Sequence, residues 1–270
     1  LATWSGHIVV ENGTLQVNYE AVADGVSRVT QTGGTHIITG LLTVDLATFE
    51  FYGGSLSMND FHLGGSNGTN SRFRRGNVSF VQTGTFSLAG GTFFAGSGSN
   101  QLGSLVVSGG YDRLGGTGPM KSVIDLETGG PSVLSFRNSQ NERWDPGQLV
   151  ITNWAGALGG GGADRIYVGN SASGLTPSQL AVILFVNPAG LAPGYYATRI
   201  LSTGEIVPTG VVIGYARTNS AFTLAWDSSR FQLLSSTNVT GPYQPLAPDP
   251  SSPYAAPFSD PQRFFELIQR

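Results

Sequence analysis

A glycine-led turn recurs through the first hundred residues and constrains the fold of the chain more than any other feature. Its glycines are Gly13, Gly34, Gly54 and Gly84, of which the first three are almost evenly spaced and the last follows a longer interval. After each turn, apolar residues alternate with Thr, Ser or Asn, which is the pattern of a half-buried strand. A repeat of strands and turns with a period of about 20–50 residues predicts a solenoid, in which each coil buries its apolar face against the next.

The predicted fold class is all-β, with a right-handed β-solenoid or β-helix-like N-terminal region followed by small β-sandwich-like C-terminal modules. The solenoid repeats span 1–130, a repeat-closing β segment with one short helix spans 131–210, and a C-terminal β module spans 211–270. Thr176-Pro177-Ser178-Gln179 predicts the helix over 177–182, because Thr caps it, Pro occupies its first position and Gln reaches back. The sequence leaves open whether 131–208 continues the solenoid or forms its own sandwich.

The composition of the chain argues against several classes of function. Charged residues make up 11% of the chain, Lys121 is its single lysine, and the formal net charge is −3, so no basic stripe can follow a nucleic-acid backbone. No apolar run reaches the roughly 18 residues of a membrane helix, and no membrane span is expected. Cysteine is absent, which excludes disulfides, thiol catalysis and cysteine metal ligands. The polar residues are mostly Ser, Thr, Asn and Gln, which favours an extracellular or cell-surface protein, as a mature chain after signal-peptide removal.

No motif predicts a catalytic, cofactor or metal site, and we expect the chain not to be an enzyme. The run Gly64-Gly65-Ser66-Asn67-Gly68 matches the G-x-S-x-G nucleophile elbow, but no helical period follows it, which favours a plain turn. His7, His36 and His62 are spaced by about one coil each and would suit a shared metal or acid–base site; three unrelated surface histidines are the favoured interpretation. The carboxylates are isolated, with no calcium-type pair, and include Asp45, Glu50, Asp60 and Asp112.

The segment 134–208 carries motifs that differ from those of the repeat region before it. They include Leu149-Val150-Ile151-Thr152-Asn153-Trp154-Ala155-Gly156, Gly162-Ala163-Asp164-Arg165-Ile166-Tyr167-Val168-Gly169, Gly174-Leu175-Thr176-Pro177-Ser178-Gln179-Leu180 and Phe185-Val186-Asn187-Pro188-Ala189-Gly190. Together they resemble the segment that closes the repeat region in bacterial autotransporter-type β-strand repeat proteins. This resemblance extends over the whole of 134–208 and implies a protein that is secreted or displayed on the bacterial surface.

The tail of the chain carries a second set of motifs. They are Phe222-Thr223-Leu224-Ala225-Trp226, a run from Phe231 to Tyr243, and Pro261-Gln262-Arg263-Phe264-Phe265-Glu266-Leu267. These motifs look like a C-terminal β module that ends many exported proteins of Verrucomicrobia-like and related bacteria. Neither resemblance brings catalytic residues with it.

The leading functional hypothesis is an extracellular structural protein, a self-assembling subunit of a bacterial surface filament, sheath or layer. A solenoid has two open ends whose backbone groups are unpaired, and no polar capping helix is evident in residues 1–20. We therefore expect the partners to be copies of the same chain, joined through the N-terminal strand Ala2 to Val10. Trp4, Ile8 and Val10 are the expected contact residues, since strand addition combines backbone hydrogen bonds with apolar side chains in pockets.

Two alternative functions follow from other residues. An adhesin or carbohydrate-binding protein would use exposed aromatic rings against sugar faces. Its candidate glycan contacts are Trp144, Trp154 and Arg72, the last within the basic cluster Arg72–Arg75, which is expected to be a solvated loop tip. A polysaccharide lyase or hydrolase is less favoured, because it needs two carboxylates that meet across coils. Nothing in the sequence implies a cofactor.

Overall fold

The computed structural model describes residues 2–4, 6–65, 70–109, 120–145, 147–191, 193–209, 214–217, 221–226, 231–257 and 262–269. The chain divides into two compact units, Leu1–Pro208 and Thr209–Arg270. Strands dominate both units, which confirms the predicted all-β class. The predicted boundary at 130 lies inside the first unit. No helix in the described part of the chain is long and apolar enough to cross a membrane.

The first unit is built from nineteen described strands and one short helix. In chain order they are β1 (Ala2–Trp4), β2 (His7–Val10), β3 (Thr14–Val22), β4 (Arg28–Gln31), β5 (Thr35–Val44), β6 (Thr48–Phe51), β7 (Ser55–Gly64), β8 (Arg72–Arg75), β9 (Val81–Gln82), β10 (Thr85–Ala89), β11 (Thr92–Phe94), β12 (Gly98–Val107), β13 (Lys121–Asp125), β14 (Ser132–Arg137), β15 (Gln148–Thr152), β16 (Arg165–Val168), α1 (Pro177–Leu180), β17 (Ile183–Val186), β18 (Tyr195–Ile200) and β19 (Glu205–Pro208).

The strands alternate between two parallel sheets, except that the consecutive strands β9 and β10 both lie in the first sheet. The first sheet contains β1, β3, β5, β7, β9, β10, β12, β14 and β16. The second sheet contains β2, β4, β6, β8, β11, β13, β15 and β17. Because each strand pairs with an equivalent strand one coil away, the unit has a solenoid-like architecture. The right-handed direction of its coil stays a prediction.

The register of the second sheet shows how much chain each coil takes up. His7 lies opposite Arg28, Arg28 opposite Thr48, Thr48 opposite Arg72, and Arg72 opposite Thr92. These coils are therefore close to the short end of the range for such repeats, about 20 residues. Later coils are longer: Leu149 lies opposite Ile183, and α1 is part of the chain between them. The parallel ladders nevertheless continue through β16 and β17, so residues beyond 130 extend the same stack.

Stacked turns explain why glycine recurs in the sequence. Gly34 and Gly54 have φ angles of 64° and 79°, in the left-handed region that favours glycine. Each turn also lies directly on the turn of the preceding coil: a Cβ atom at Gly54 would come within 2.4 Å of the Gly33 carbonyl carbon. A side chain at this position would therefore force neighbouring coils apart and break the ladder.

Phenylalanine rings stack through the interior of the coils. Along the second sheet, Phe49, Phe73 and Phe93 occupy the same register position, and the centroid distances between successive rings are 5.3 and 5.7 Å. Phe61 of the first sheet packs edge-on against Phe73 at 5.0 Å. These aromatic rings fill the space between the two sheets and supply much of the buried apolar area.

The C-terminal end of the first unit changes to antiparallel pairing. β18 pairs antiparallel with β17 and β19, and β19 pairs antiparallel with β16, so these two strands join both sheets. The capping box predicted at Thr176 and Gln179 is present, although the helix ends at Leu180 and not at 182. Gln179 Nε2 also donates hydrogen bonds to the carbonyl oxygens of Ser139 and Glu142, which fixes α1 to the preceding loop.

The second unit contains two three-stranded antiparallel sheets. Its strands are β20 (Gly214–Arg217), β21 (Ala221–Ala225), β22 (Phe231–Ser236), β23 (Gln244–Pro245), β24 (Tyr254–Pro257) and β25 (Phe264–Gln269). One sheet has the order β20-β21-β24 and the other the order β23-β22-β25. Leu224, Trp226 and Leu233 form an apolar cluster to which both sheets contribute. A sandwich-like module of the predicted kind stays a prediction.

Replacing Phe73 by Ala tests the aromatic stack. The ring is fully buried among Phe49, Phe61 and Phe93, so we expect a loss of about 3–5 kcal/mol in the free energy of unfolding. Urea denaturation followed by tryptophan fluorescence and circular dichroism measures this loss. The matched control is Val81→Ala at an exposed site on the first sheet, which should change stability by less than about 0.5 kcal/mol. Equal effects of the two substitutions would contradict the assigned core.

Candidate functional site

The first coil, which consists of β2 and β3, presents an unpaired strand edge. The N–H groups of Arg28 and Thr32 donate to the carbonyl oxygens of Gly6 and Val10, so these carbonyls point towards β4. Successive residues of a strand point their backbone N–H and C=O groups to opposite sides. The backbone groups of His7 and Val9 therefore point away from β4. Within the described part of the chain, no strand pairs with this outer edge of β2.

The first coil also leaves apolar interior positions partly uncovered. Ile8, Leu15 and Val17 are half-buried, and Ile8 and Val17 pack against the apolar core. The residues opposite them one coil later, Val29, His36 and Ile38, are no more than 1% exposed. An additional coil placed on β2 and on the part of β3 before Glu20, with which β1 does not pair, would bury the first three side chains in the same way.

The predicted contact residues occupy different positions in this coil. Ile8 is half-buried, and Val10 is only 8% exposed because its side chain faces the interior. Val10 is therefore not available as a surface contact, which corrects the sequence-based assignment. Val9, which no sequence pattern singles out, is 48% exposed and faces outwards. Trp4 lies in β1 opposite Val22, and its side chain is outside the described part of the structure.

The predicted basic cluster is strand β8, not a loop tip. Arg75 points into the protein and is 1% exposed, and its N–H groups donate to the carbonyl oxygens of Val78, Ala95 and Gly96. Burial lowers the pKa of Arg75 to about 10, so the side chain stays protonated at neutral pH. Arg75 is a structural residue that binds the turn of the next coil.

Arg72 and Arg74 alternate with Arg75 and lie on the outer surface of the second sheet. A surface cavity of about 240 Å³ is lined by Arg28, Thr48, Glu50, Arg72, Arg74 and Phe94. Arg28 Nε donates to Glu50 Oε2 at 3.0 Å, and Arg74 forms an ion pair with Glu127. The Arg74 guanidinium also lies 4.1 Å from the centroid of the Phe94 ring, within the range of a cation–π contact. We call the surface formed by Arg28, Thr48, Glu50, Arg72, Arg74 and Phe94 the arginine face.

The two tryptophans predicted to contact glycans are not equivalent. Trp154 is 1% exposed and packs edge-on against Phe185 at 5.5 Å, so it cannot offer a ring to a sugar. Asn153, which follows β15 and precedes Trp154, has a φ angle of 58°, in the left-handed region. Trp144 is half-buried, and its Nε1 donates to the carbonyl oxygen of Leu105 at 3.0 Å. It lines a surface cavity of about 480 Å³ together with Arg143 and Asp145.

The structure does not bring the three histidines together. His7 is exposed on the second sheet, His62 is on the first sheet, and His36 is buried inside the coil. His36 Nε2 lies 2.6 Å from Glu20 Oε2, and both side chains are inaccessible to solvent. Within the described residues, no group of three His, Cys, Asp or Glu side chains is placed to hold a metal ion.

Other candidates from the sequence have structural roles or lie outside the described residues. Asp60 Oδ1 accepts hydrogen bonds from the backbone N–H and the hydroxyl group of Thr85 on the next coil. Residues 66–69 of the G-x-S-x-G run, and Asp112, lie outside the part of the chain that the structure describes.

The titration of His62 tests the packing between coils. Burial lowers the pKa of its imidazole below the ordinary value of 6.5, while the nearby Asp45 carboxylate opposes part of this shift. We expect a pKa below 6.5 by NMR, and a lower value still in Asp45→Asn. Because the folded pKa lies below the unfolded one, His62 contributes stability above pH 6.5 that is lost as the pH falls through the folded pKa. Asp145→Asn, at an exposed site, is the control and should leave this pKa unchanged.

Comparison with known proteins found no matching family model, no matching curated protein and no matching solved structure. The resemblance to autotransporter-type β-strand repeat proteins and to the exported C-terminal β module therefore stays a prediction from the sequence. What the chain does has to be inferred from its own geometry.

Proposed function

We propose that this chain is an extracellular structural protein, a self-assembling subunit of a bacterial surface filament, sheath or layer. The right-handed coil, the sandwich-like tail and the bacterial cell-surface location are parts of this proposal. The observation that carries it is the first coil, which combines the unpaired edge of β2 with the half-buried Ile8, Leu15 and Val17. The proposal assigns no catalytic, cofactor or metal role to any residue.

A second copy of the chain is the proposed occupant of this edge. An added strand would form hydrogen bonds with the outward backbone groups of His7 and Val9, as in strand addition at other sheet edges. Its side chains would cover the half-buried interior residues, which contributes about 1 kcal/mol for each side chain that passes from half-buried to buried. Backbone hydrogen bonds and apolar contacts would therefore stabilise the assembly.

The symmetry of this contact decides which assembly forms. If two first coils paired with each other, the contact would be isologous and would give a closed dimer. If the first coil paired with a different surface of the next copy, the contact would be heterologous and would give an open filament. The proposed filament requires the second arrangement.

A second candidate function is carbohydrate binding, which the arginine face favours. Arg72 lies on this face, and Trp144 remains partly accessible at a separate cavity. The burial of Trp154 removes it from the candidate contacts. Carbohydrate binding would use the outer surface of the second sheet, and assembly would use the edge of β2. One protein can therefore have both functions.

Replacing Val9 by Pro tests the assembly. Proline removes the outward N–H group of β2 without removing a hydrogen bond to β4, and proline is tolerated on a free strand edge. We expect the variant to fold, with an unchanged circular dichroism spectrum, and to remain monomeric where the wild-type chain forms filaments. Electron microscopy and light scattering at matched concentrations measure the difference.

Val9→Thr is the matched control, because threonine keeps both the shape and the N–H group of valine. It should assemble as the wild-type chain does. Assembly of wild-type protein should also persist in about 1 M salt, since screening weakens exposed ion pairs and hardly affects apolar contacts. Normal filaments from Val9→Pro, dissolution by salt alone, or a wild-type chain that forms only monomers or closed dimers would contradict the proposal.

A further inference from the structure

The register of the second sheet places polar side chains of the arginine face in two lines. Arg28, Thr48 and Arg72 lie opposite one another on β4, β6 and β8. Two positions further along these strands, Thr30, Glu50 and Arg74 form a second line, which Phe94 continues on β11. Neighbouring strands are about 4.8 Å apart, so the backbones of Arg28 and Arg72 are separated by about 10 Å across the strands.

The charges on this face do not balance. Arg28 is paired with Glu50 and Arg74 with Glu127, which leaves each guanidinium held in place while still partly accessible. Arg72 is exposed, and no carboxylate of the described residues lies within ion-pair distance of it. The face therefore offers one uncompensated guanidinium, that of Arg72, near two ordered ones and beside the hydroxyl group of Thr48.

We infer that the arginine face binds the carboxylate or sulfate groups of an acidic polysaccharide. Arginine presents a planar set of N–H donors that matches the oxygens of such groups, and the ion pairs hold Arg28 and Arg74 in position before the ligand arrives. Thr48 supplies a hydroxyl group for hydrogen bonds with sugar hydroxyls, and the half-exposed Phe94 ring supplies an apolar surface.

The shape and the charge of the molecule favour a polymer of this kind over other anions. The cavity holds about 240 Å³ and lies on an open sheet, which suits a chain that crosses the strands better than an enclosed small molecule. Nucleic acid is disfavoured, because the basic residues described on this face form a local group and not an extended stripe that could follow a phosphate backbone. The proposed polysaccharide would bring one anionic group to Arg72 and others to Arg28 or Arg74.

Binding of polygalacturonate and dextran sulfate to the purified chain tests this inference, with neutral dextran for comparison. Isothermal titration calorimetry at low ionic strength should show saturable binding of at least one acidic polymer and none of neutral dextran. Arg72→Ala should weaken the binding about tenfold or more, since a hydrogen-bonded ion contact is lost, and Arg72→Lys should restore part of it. The exposed position of Arg72 predicts an unchanged circular dichroism spectrum in both variants.

Arg137→Ala is the matched control, because this exposed side chain lies on β14 of the first sheet and lines neither the arginine face nor the cavity beside Trp144. It removes the same charge and should leave the affinity unchanged. An equal loss in Arg137→Ala and Arg72→Ala would show unspecific charge attraction and would overturn the inference. So would equal affinity for neutral dextran, equal affinity for free acetate or sulfate, or full binding by Arg72→Ala. Val9→Pro should bind the polymer normally, so the results for this face and for assembly can be told apart.

Discussion

The parallel hydrogen-bonded register between successive coils is the constraint on which the rest of the first unit depends. It aligns equivalent residues of successive coils. Phe49, Phe73 and Phe93 therefore occupy the same inward-facing register position, and their rings stack. The same alignment places turn on turn, which is why Gly54 cannot carry a side chain. On the outer surface it produces the line of Arg28, Thr48 and Arg72, although these residues are distant in the sequence.

Buried polar side chains connect the coils where the ladder turns. Gln31 and Gln82 are both buried, and the Nε2 group of each donates to a carbonyl oxygen of its own turn and to one of a neighbouring coil. This explains the similarity between Val29-Thr30-Gln31-Thr32-Gly33 and Phe80-Val81-Gln82-Thr83-Gly84. A buried amide without hydrogen-bond partners costs free energy. The buried Gln side chain therefore holds the carbonyl groups of the turn in a fixed position.

The sequence predicts the coil period and the capped helix because both depend on local patterns of glycine, apolar residues and a capping box. It does not predict which side of a strand faces inwards when consecutive residues are all apolar or all charged. For this reason the solvated position expected for Arg75 is wrong, and Val10, expected as a contact residue, also has a side chain that faces the interior. The exposure expected for Trp154 is wrong, because a left-handed residue, Asn153, interrupts the strand alternation just before it and such a residue has no clear signal in the sequence. The arginine face depends on contacts between residues of different coils.

The direction of the ladder hydrogen bonds also determines how the first unit responds to force. Strands in this unit run across the stack, and the hydrogen bonds between coils lie along it. Tension along the stack therefore acts on the coils in series, and each coil separates by breaking one row of bonds at a time. Within the described part of the chain the outer edge of β2 has no paired strand, and the interior residues Ile8 and Val17 are half-buried, so we expect this coil to yield before the coils behind it. Under load, such a unit extends stepwise from one end and not by a single rupture.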